Sequence, residues 1–240
     1  MTANTLRLEA HERDGTTVVG TIRAGGLLRA SRAFAEGAAA RVVVSHLGPG
    51  MVRGDAFASS GRVAPGAHLI VAGQMATRVL SGPDPVINAA RWVVERGARL
   101  DVIAEPTLVA SGASYDARLA LALEPGARAV VTELVRRERG AALRVAMHVM
   151  RGERCALADV LALGADDAED AAIGTLTVFH AIGGDEPCLD ALDREADLHD
   201  EVRIGIGRLR DGDVLVRITG RSAWAVREAL DRLREALTTF

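Results

Sequence analysis

Lysine is missing altogether: every one of the 29 basic residues in this 240-residue chain is an arginine. A P-loop needs lysine on the nucleotide phosphates, and Schiff-base or pyridoxal chemistry needs a lysine amine, so both classes are excluded. Aromatic residues are scarce, seven in all, and the formal charge is -3. The chain therefore lacks the basic stripe and the stacking platform of nucleic-acid binding, and nucleic acid is not an expected partner. The two cysteines, Cys155 and Cys188, are too few and too far apart for a structural zinc site or a disulfide framework, and free thiols are expected. No apolar run reaches the length of a membrane span, and Met1 to Glu12 lacks the charged start and apolar centre of a signal peptide. The expected location is cytoplasmic. Nucleophile elbow, HExxH and Gly-rich phosphate loop are all absent from the sequence.

What is present is a phrase. Gly-Ala-x-x-x-Val starts at Gly37, Gly66, Gly97 and Gly126, with the valine at Val42, Val71, Val102 and Val131, at intervals of 29, 31 and 29 residues. Such a period suggests one unit, a tight turn followed by an apolar strand, used four times. Glycine takes positive φ without penalty, which suits the turn. A fifth copy, Gly140 to Val145, falls off the period and warns that a chain rich in Ala and Gly repeats itself by chance. With 49% hydrophobic residues the chain can bury one substantial core, and one domain over 1–240 is expected, with a short disordered N-terminus allowed over 1–14.

The strand pattern supports this organisation. Thr16 to Ile22 reads as the first strand, Arg41 to Leu47 as the next, stopped by Gly48-Pro49-Gly50. Tyr115 to Leu123 and Leu143 to Met150 alternate with period two, and Leu176, Val178 and His180 against Thr175, Thr177 and Phe179 give a similar but two-sided strand. His148 and His180 lack a second ligand at metal spacing. Asp185 to Glu201 is strongly acidic, and Pro187 there suggests a short helix. Val202 to Ile206 and Val214 to Ile218 read as a hairpin. A last helix is expected from Ala223 to about Leu237, N-capped by Ser222, burying Trp224, Val226, Leu230, Leu233 and Leu237. The fold class is mainly β, stacked sheets of solenoid-like character on a roughly 30-residue strand-turn repeat, with a few helices towards the C-terminus.

Chemistry must then rest on isolated carboxylates. Asp55 follows a Gly-rich turn, Glu105 precedes Pro106, and Glu133 lies inside the apolar run VVTELV on the face of Val131 and Val135. A carboxyl buried there has its pKa raised unless a cation or donor compensates. Salt bridges to the many arginines are the ordinary fate of such groups. Counting eight residues from each repeat glycine gives Ser45, Gln74, Glu105 and Leu134, so stacked strands would set three polar side chains in one column about 5 Å apart. Such a column lines a wet passage or faces solvent.

The ordered segments HLGPGMVRGD (His46 to Asp55), PGAHLIVAGQMATRVL (Pro65 to Leu80), DVIAEP (Asp101 to Pro106), and TELV followed by MRGER (Thr132 to Arg154) resemble the UreD family of urease accessory proteins, called UreH in some systems. The likeness runs from about Gly15 to Leu237. Gly54 and Asp55 match the family's Gly-Asp step, and Gln74, Ala76, Thr77 and Arg78 its next motif, with Arg78 standing where the family usually has lysine and Leu80 where an aromatic is common. The resemblance implies a non-enzymatic scaffold for nickel insertion into apo-urease that binds UreF and the GTPase UreG. A homodimer within the accessory complex is allowed for. It also implies stacked β structure with a water-filled nickel route, for which Asp55, Thr77, Glu105 and Glu133 are the candidate transient ligands. No cofactor is expected to be tightly bound, only nickel(II) in transit on exchangeable oxygen ligands. Two other classes fit the residues: a carboxylate-dependent hydrolase with paired acids, and a self-assembling β scaffold with no metal role.

Overall fold

The four valines of the repeat form one column: Val42 pairs with Val71, Val71 with Val102, and Val102 with Val131, all in parallel register. A computed structural model describes residues 3–167, 171–179 and 201–238 of the chain. The four repeat glycines take φ of 60, 75, 66 and 75° in the turns that start these strands. In three of the copies the following alanine, Ala67, Ala98 or Ala127, is buried, which is why the phrase is Gly-Ala: one residue turns the chain and the next closes the end of the core.

Successive coils alternate between two sheets. A seven-stranded sheet holds β1 (Asn4–Arg13), β2 (Thr16–Gly25), β6 (Ala56–Val63), β9 (Val86–Val94), β12 (Ser114–Leu123), β14 (Ala142–Arg151) and β15 (Arg154–Leu163), in the order β15-β14-β12-β9-β6-β1-β2. An eleven-stranded sheet has as its main path β17 (Val202–Arg208), β18 (Val214–Gly220), β16 (Ala171–Phe179), β13 (Arg128–Arg137), β10 (Arg99–Ile103), β7 (His68–Gly73), β5 (Ala39–His46) and β3 (Leu28–Ala30). The short strands β4 (Phe34–Glu36), β8 (Thr77–Val79) and β11 (Thr107–Val109) complete it. The central strands of both sheets are parallel, as a solenoid requires, and hairpin pairs close the ends. The off-period copy at Gly140 is no accident. It is the same device on the opposite sheet, where Gly112 and Gly140 both take positive φ, Ala113 and Ala141 are buried, and Val145 pairs with Ala117.

One apolar core lies between the sheets and a second lies under the single described helix, α1 (Ala223–Thr238), on the outer face of β13, β16 and β18. Ser222 caps that helix, its Oγ accepting from Ala225 N–H. Val226, Leu230 and Leu233 are buried as the stripe requires. Trp224 is not: it is 79% exposed, because two residues before Val226 on a helix is nearly the opposite face. Gly174 on β16 makes room for the helix, since a Cβ there would stand 2.8 Å from Leu230 and Val226.

One further expectation changes. The N-terminus is not a disordered stretch over 1–14, because Asn4–Arg13 is a strand that buries Leu6, Leu8 and Ala10 and pairs on both sides, with β2 and β6. The charges that disguise it, Arg7, Glu9 and Arg13, all point outward. The helix read at Pro187, the acidic stretch up to residue 200, His180 and Cys188 lie outside the described residues.

Arginines do the stitching. Arg137, 1% exposed, donates to the carbonyls of Ala141, Gly164 and Asp167. At one edge of the sandwich Arg151 meets Asp213, Arg154 meets Asp211 and Arg217 meets Asp159, tying β14 and β15 to the β17–β18 hairpin of the other sheet.

Candidate internal passage

Alternation along the strands places several polar side chains in the space between the sheets, where an unbroken apolar core would exclude them. Two cavities result, of about 170 and 140 Å³, and they share Asn88, Ala90, Val102 and Ala104 in their walls. The second of them shares Ala90, Arg118, Leu119 and Ala146 with an open groove of about 900 Å³ along the seven-stranded sheet. The two cavities adjoin, whereas the groove lies on the outer face of the seven-stranded sheet with the outward-pointing Arg118, Arg144 and His148, so the sheet separates it from them.

The first cavity is lined by His46, Gln74, Thr77, Glu105 and Thr107 together with Asn88. His46, at the end of β5, sits edge-on to Phe57 with 5.0 Å between ring centroids, and its Nδ1 lies 3.3 Å from Thr77 Oγ1. Burial pushes the imidazole pKa down, which keeps it neutral and a competent nitrogen donor. Thr77 on β8 pairs with Thr107 on β11, and the Thr107 hydroxyl reaches the buried hydroxyl of Tyr115, which also accepts from Asn88 Nδ2 at 3.0 Å. Burial holds the Tyr115 pKa at about 12, so this hydroxyl stays protonated.

The second cavity is lined by Thr132 and Glu133 from β13, facing Ala117 and Leu119 of the other sheet. The Glu133 carboxyl makes no hydrogen bond among the described residues. Burial raises its pKa to about 7, opposed by the positive charge of Arg217 and reinforced by the negative charge of Asp159. Thr177, fully buried on the neighbouring β16, has an Oγ1 with no partner.

The four candidate ligands thus have different fates. Thr77 and Glu105 line the first cavity and Glu133 the second. Asp55 stands apart from all three spaces, because its carboxylate accepts from Val52 N–H at 2.8 Å and closes the turn before β6. The register counted from the sequence holds through Val43, Ala72, Ile103 and Thr132 but shifts before Thr107, which pairs with Thr77 and Val135, so the counted column is interrupted at Glu105. Leu134 packs under α1, in the opposite phase from Glu133. The two acids do not confront each other across a narrow interior. Glu105 instead makes two bonds to Arg227 of α1, at 3.0 and 3.2 Å.

Asn88, Thr107 and Tyr115 lie outside the quoted family segments, and His46 and Thr132, which open two of them, are not among the candidate ligands read from the sequence. Asn88 carried a signal all the same, sharing its strand phase with the buried Val86, Trp92 and Val94. Among the described residues no three of His, Cys, Asp and Glu gather as a metal cluster, and no helix is long and apolar enough to cross a membrane. The thiol of Cys155 is free and exposed, 3.6 Å from His148 Nε2.

Fold and site together define a class: a two-sheeted β solenoid whose coils enclose adjoining polar cavities. The chain belongs to the UreD family, since the family model described as UreD urease accessory protein matches residues 2–240. The chain is 25% identical over 246 residues to the urease accessory protein UreD of Bacillus sp. (strain TB-90), covering 95% of this chain and 90% of that protein. It is 29% identical over 195 residues to the UreD of Methylobacterium sp. (strain 4-46), covering 74% and 69%. It is 31% identical over 130 residues to the UreD of Pseudomonas putida KT2440, covering 53% and 47%. Membership implies a role in urease maturation.

Proposed function

We propose that the chain is a non-catalytic scaffold that docks apo-urease, carries UreF and UreG, and conducts nickel(II) through its interior. The observation that supports this reading is the pair of adjoining cavities, walled by hydroxyls, two amides, a neutral imidazole and two carboxyls. These are weak, exchangeable donors for a divalent ion of intermediate softness, and a closed Cys/His cage would retain the ion it must release. Glu133 is suited to a step along such a route, because a carboxyl titrating near neutrality gives up its proton to an arriving cation.

The first cavity has an apolar collar. Leu27, Leu47 and Val52 are exposed and each adjoins a lining residue, Leu28, His46 or Met51; Met75, itself a lining residue, is 76% exposed. Grouped exposed apolar side chains mark a partner surface, and a partner seated here would cover the opening. A carboxylate-dependent hydrolase would need two acids facing one another in a pocket; Glu105 is held by Arg227 and Glu133 faces another cavity.

The test is urease assembled in cells supplied with nickel, with and without this chain, followed by recovery of the complexes formed. Nickel-free urease in the absence of the chain, and capture of the chain with apo-urease and UreF, is the expected result. Fully loaded urease without it would overturn the proposal.

A further inference from the structure

Arg217 occupies a position that the passage reading leaves unused. Glu133 pairs with Thr175, and Thr175 with Arg217, so the guanidinium projects from the same layer and face as Glu133, two strands further towards the edge. At 4.7–4.9 Å per strand that is roughly 10 Å between backbones, within combined reach of the two side chains. On the opposite sheet Leu119, which faces Glu133 across the second cavity, pairs with Met147, and Met147 with Asp159. Asp159 therefore lies in the same layer, again two strands towards the edge, and it accepts from Arg217 Nη2 at 2.5 Å. The pair closes the layer like a clasp between the sheets. Thr177 adds a second sign that this end of the interior is built for something polar, since its buried Oγ1 has no protein partner.

We propose that the Arg217–Asp159 pair is a latch that keeps a guanidinium out of the passage, making Asp159 a positioning residue for cation transit although no cation needs to touch it. The inference rests on the passage reading above. An arginine with most of its side chain covered does not stay unpaired when another carboxylate is in reach. Without Asp159 the partner within reach on its own face is Glu133. An Arg217–Glu133 pair would spend the one unbonded carboxyl of the second cavity and place a fixed positive charge where a dication must pass. Arg151–Asp213 holds the adjacent stretch of the seam, both groups nearly buried, and so keeps the sheets together when the latch is opened.

Two measurements test this. The first is the nickel content of urease assembled with Asp159→Asn, Arg217→Gln, the double variant, and Glu133→Gln as reference. Asp159→Asn should lose most of the nickel, whereas Arg217→Gln and the double variant should load as the parent does, because the obstructing charge is gone. The second is a set of melting curves on the isolated chain. Arg217→Gln and Glu133→Gln should be weakly coupled in the parent, through the attraction that already opposes the raised Glu133 pKa, and strongly coupled in the Asp159→Asn background, where the new pair forms; a merely structural salt bridge creates no such increase. Glu133→Gln that loses nickel while Asp159→Asn keeps it, or a coupling no larger in the Asp159→Asn background than in the parent, overturns the latch alone. Full nickel loading in every variant, Glu133→Gln included, with the increased coupling present in the melting curves, overturns the passage reading and leaves the latch as a structural fact.

Discussion

Replacing Glu133 by Gln keeps the side chain's shape and removes its titration. In the unfolded chain this carboxyl has a pKa near 4.5, and in the fold it is raised to about 7, mainly by burial. A raised acid pKa means that the folded state holds the proton more tightly. The contribution is therefore fully favourable below about pH 4.5, is lost progressively as pH rises to about 7, and is level above that. The gap between the two values corresponds to roughly 3 kcal/mol. At pH 8 the Gln variant should thus be the more stable by up to about 3 kcal/mol, which at about 2–4 °C per kcal/mol for a chain of this size is a readily measured rise in melting temperature. At pH 5 most of the difference should vanish, since both proteins then carry an uncharged group. Melting scans from pH 5 to 8 decide the matter. Equal melting temperatures at pH 8, or a difference independent of pH, would refute the claim that an unpaired carboxyl is buried in the second cavity.

Glu105→Gln should behave in the opposite sense and weakly, losing about 0.5–1 kcal/mol at neutral pH, because its pair with Arg227 is partly exposed. Leu230→Ala should cost about 2–5 kcal/mol by opening a hole between α1 and β16, while Trp224→Ala, two turns earlier on the opposite face, should stay within about 0.5 kcal/mol in denaturant titration. Met75→Asp should leave the melting temperature unchanged and reduce recovery of the chain with its maturation partners, since it puts a desolvated charge into the collar of the first cavity.

The parts of the fold that follow from local rules could be read directly. The column from Val42 to Val131 follows from glycines whose turns require positive φ at a fixed spacing, and the last helix from a stripe and a cap. Glu133 was legible as a misfit because alternation alone puts it beside Val131 and Val135. The second sheet's copy of the repeat was obscured because its strands carry Tyr115, Asp116 and Arg144 where the first sheet carries valine and isoleucine. Asp55 looked like a ligand for the reason that makes it a turn residue: a short carboxylate after glycine bonds its own backbone. Which acid meets which arginine was beyond reach, since Asp159 and Arg217 are 58 residues apart and meet only across two sheets. The same holds for the chain from His46 through Thr77, Thr107 and Tyr115 to Asn88, whose members come from five different strands.

Ala90 offers the most direct measurement, because it shares the inward phase of Asn88 and its small side chain borders both cavities. Ala90→Leu fills the junction with apolar volume, adds no charge and touches none of the proposed ligands. The quantity to measure is nickel per urease active site, determined by elemental analysis on urease assembled with the parent or the Ala90→Leu chain, at matched recovery of the accessory complex. The account predicts an intact complex and urease depleted of nickel. An intact complex that delivers a full complement of nickel past the filled junction would contradict it.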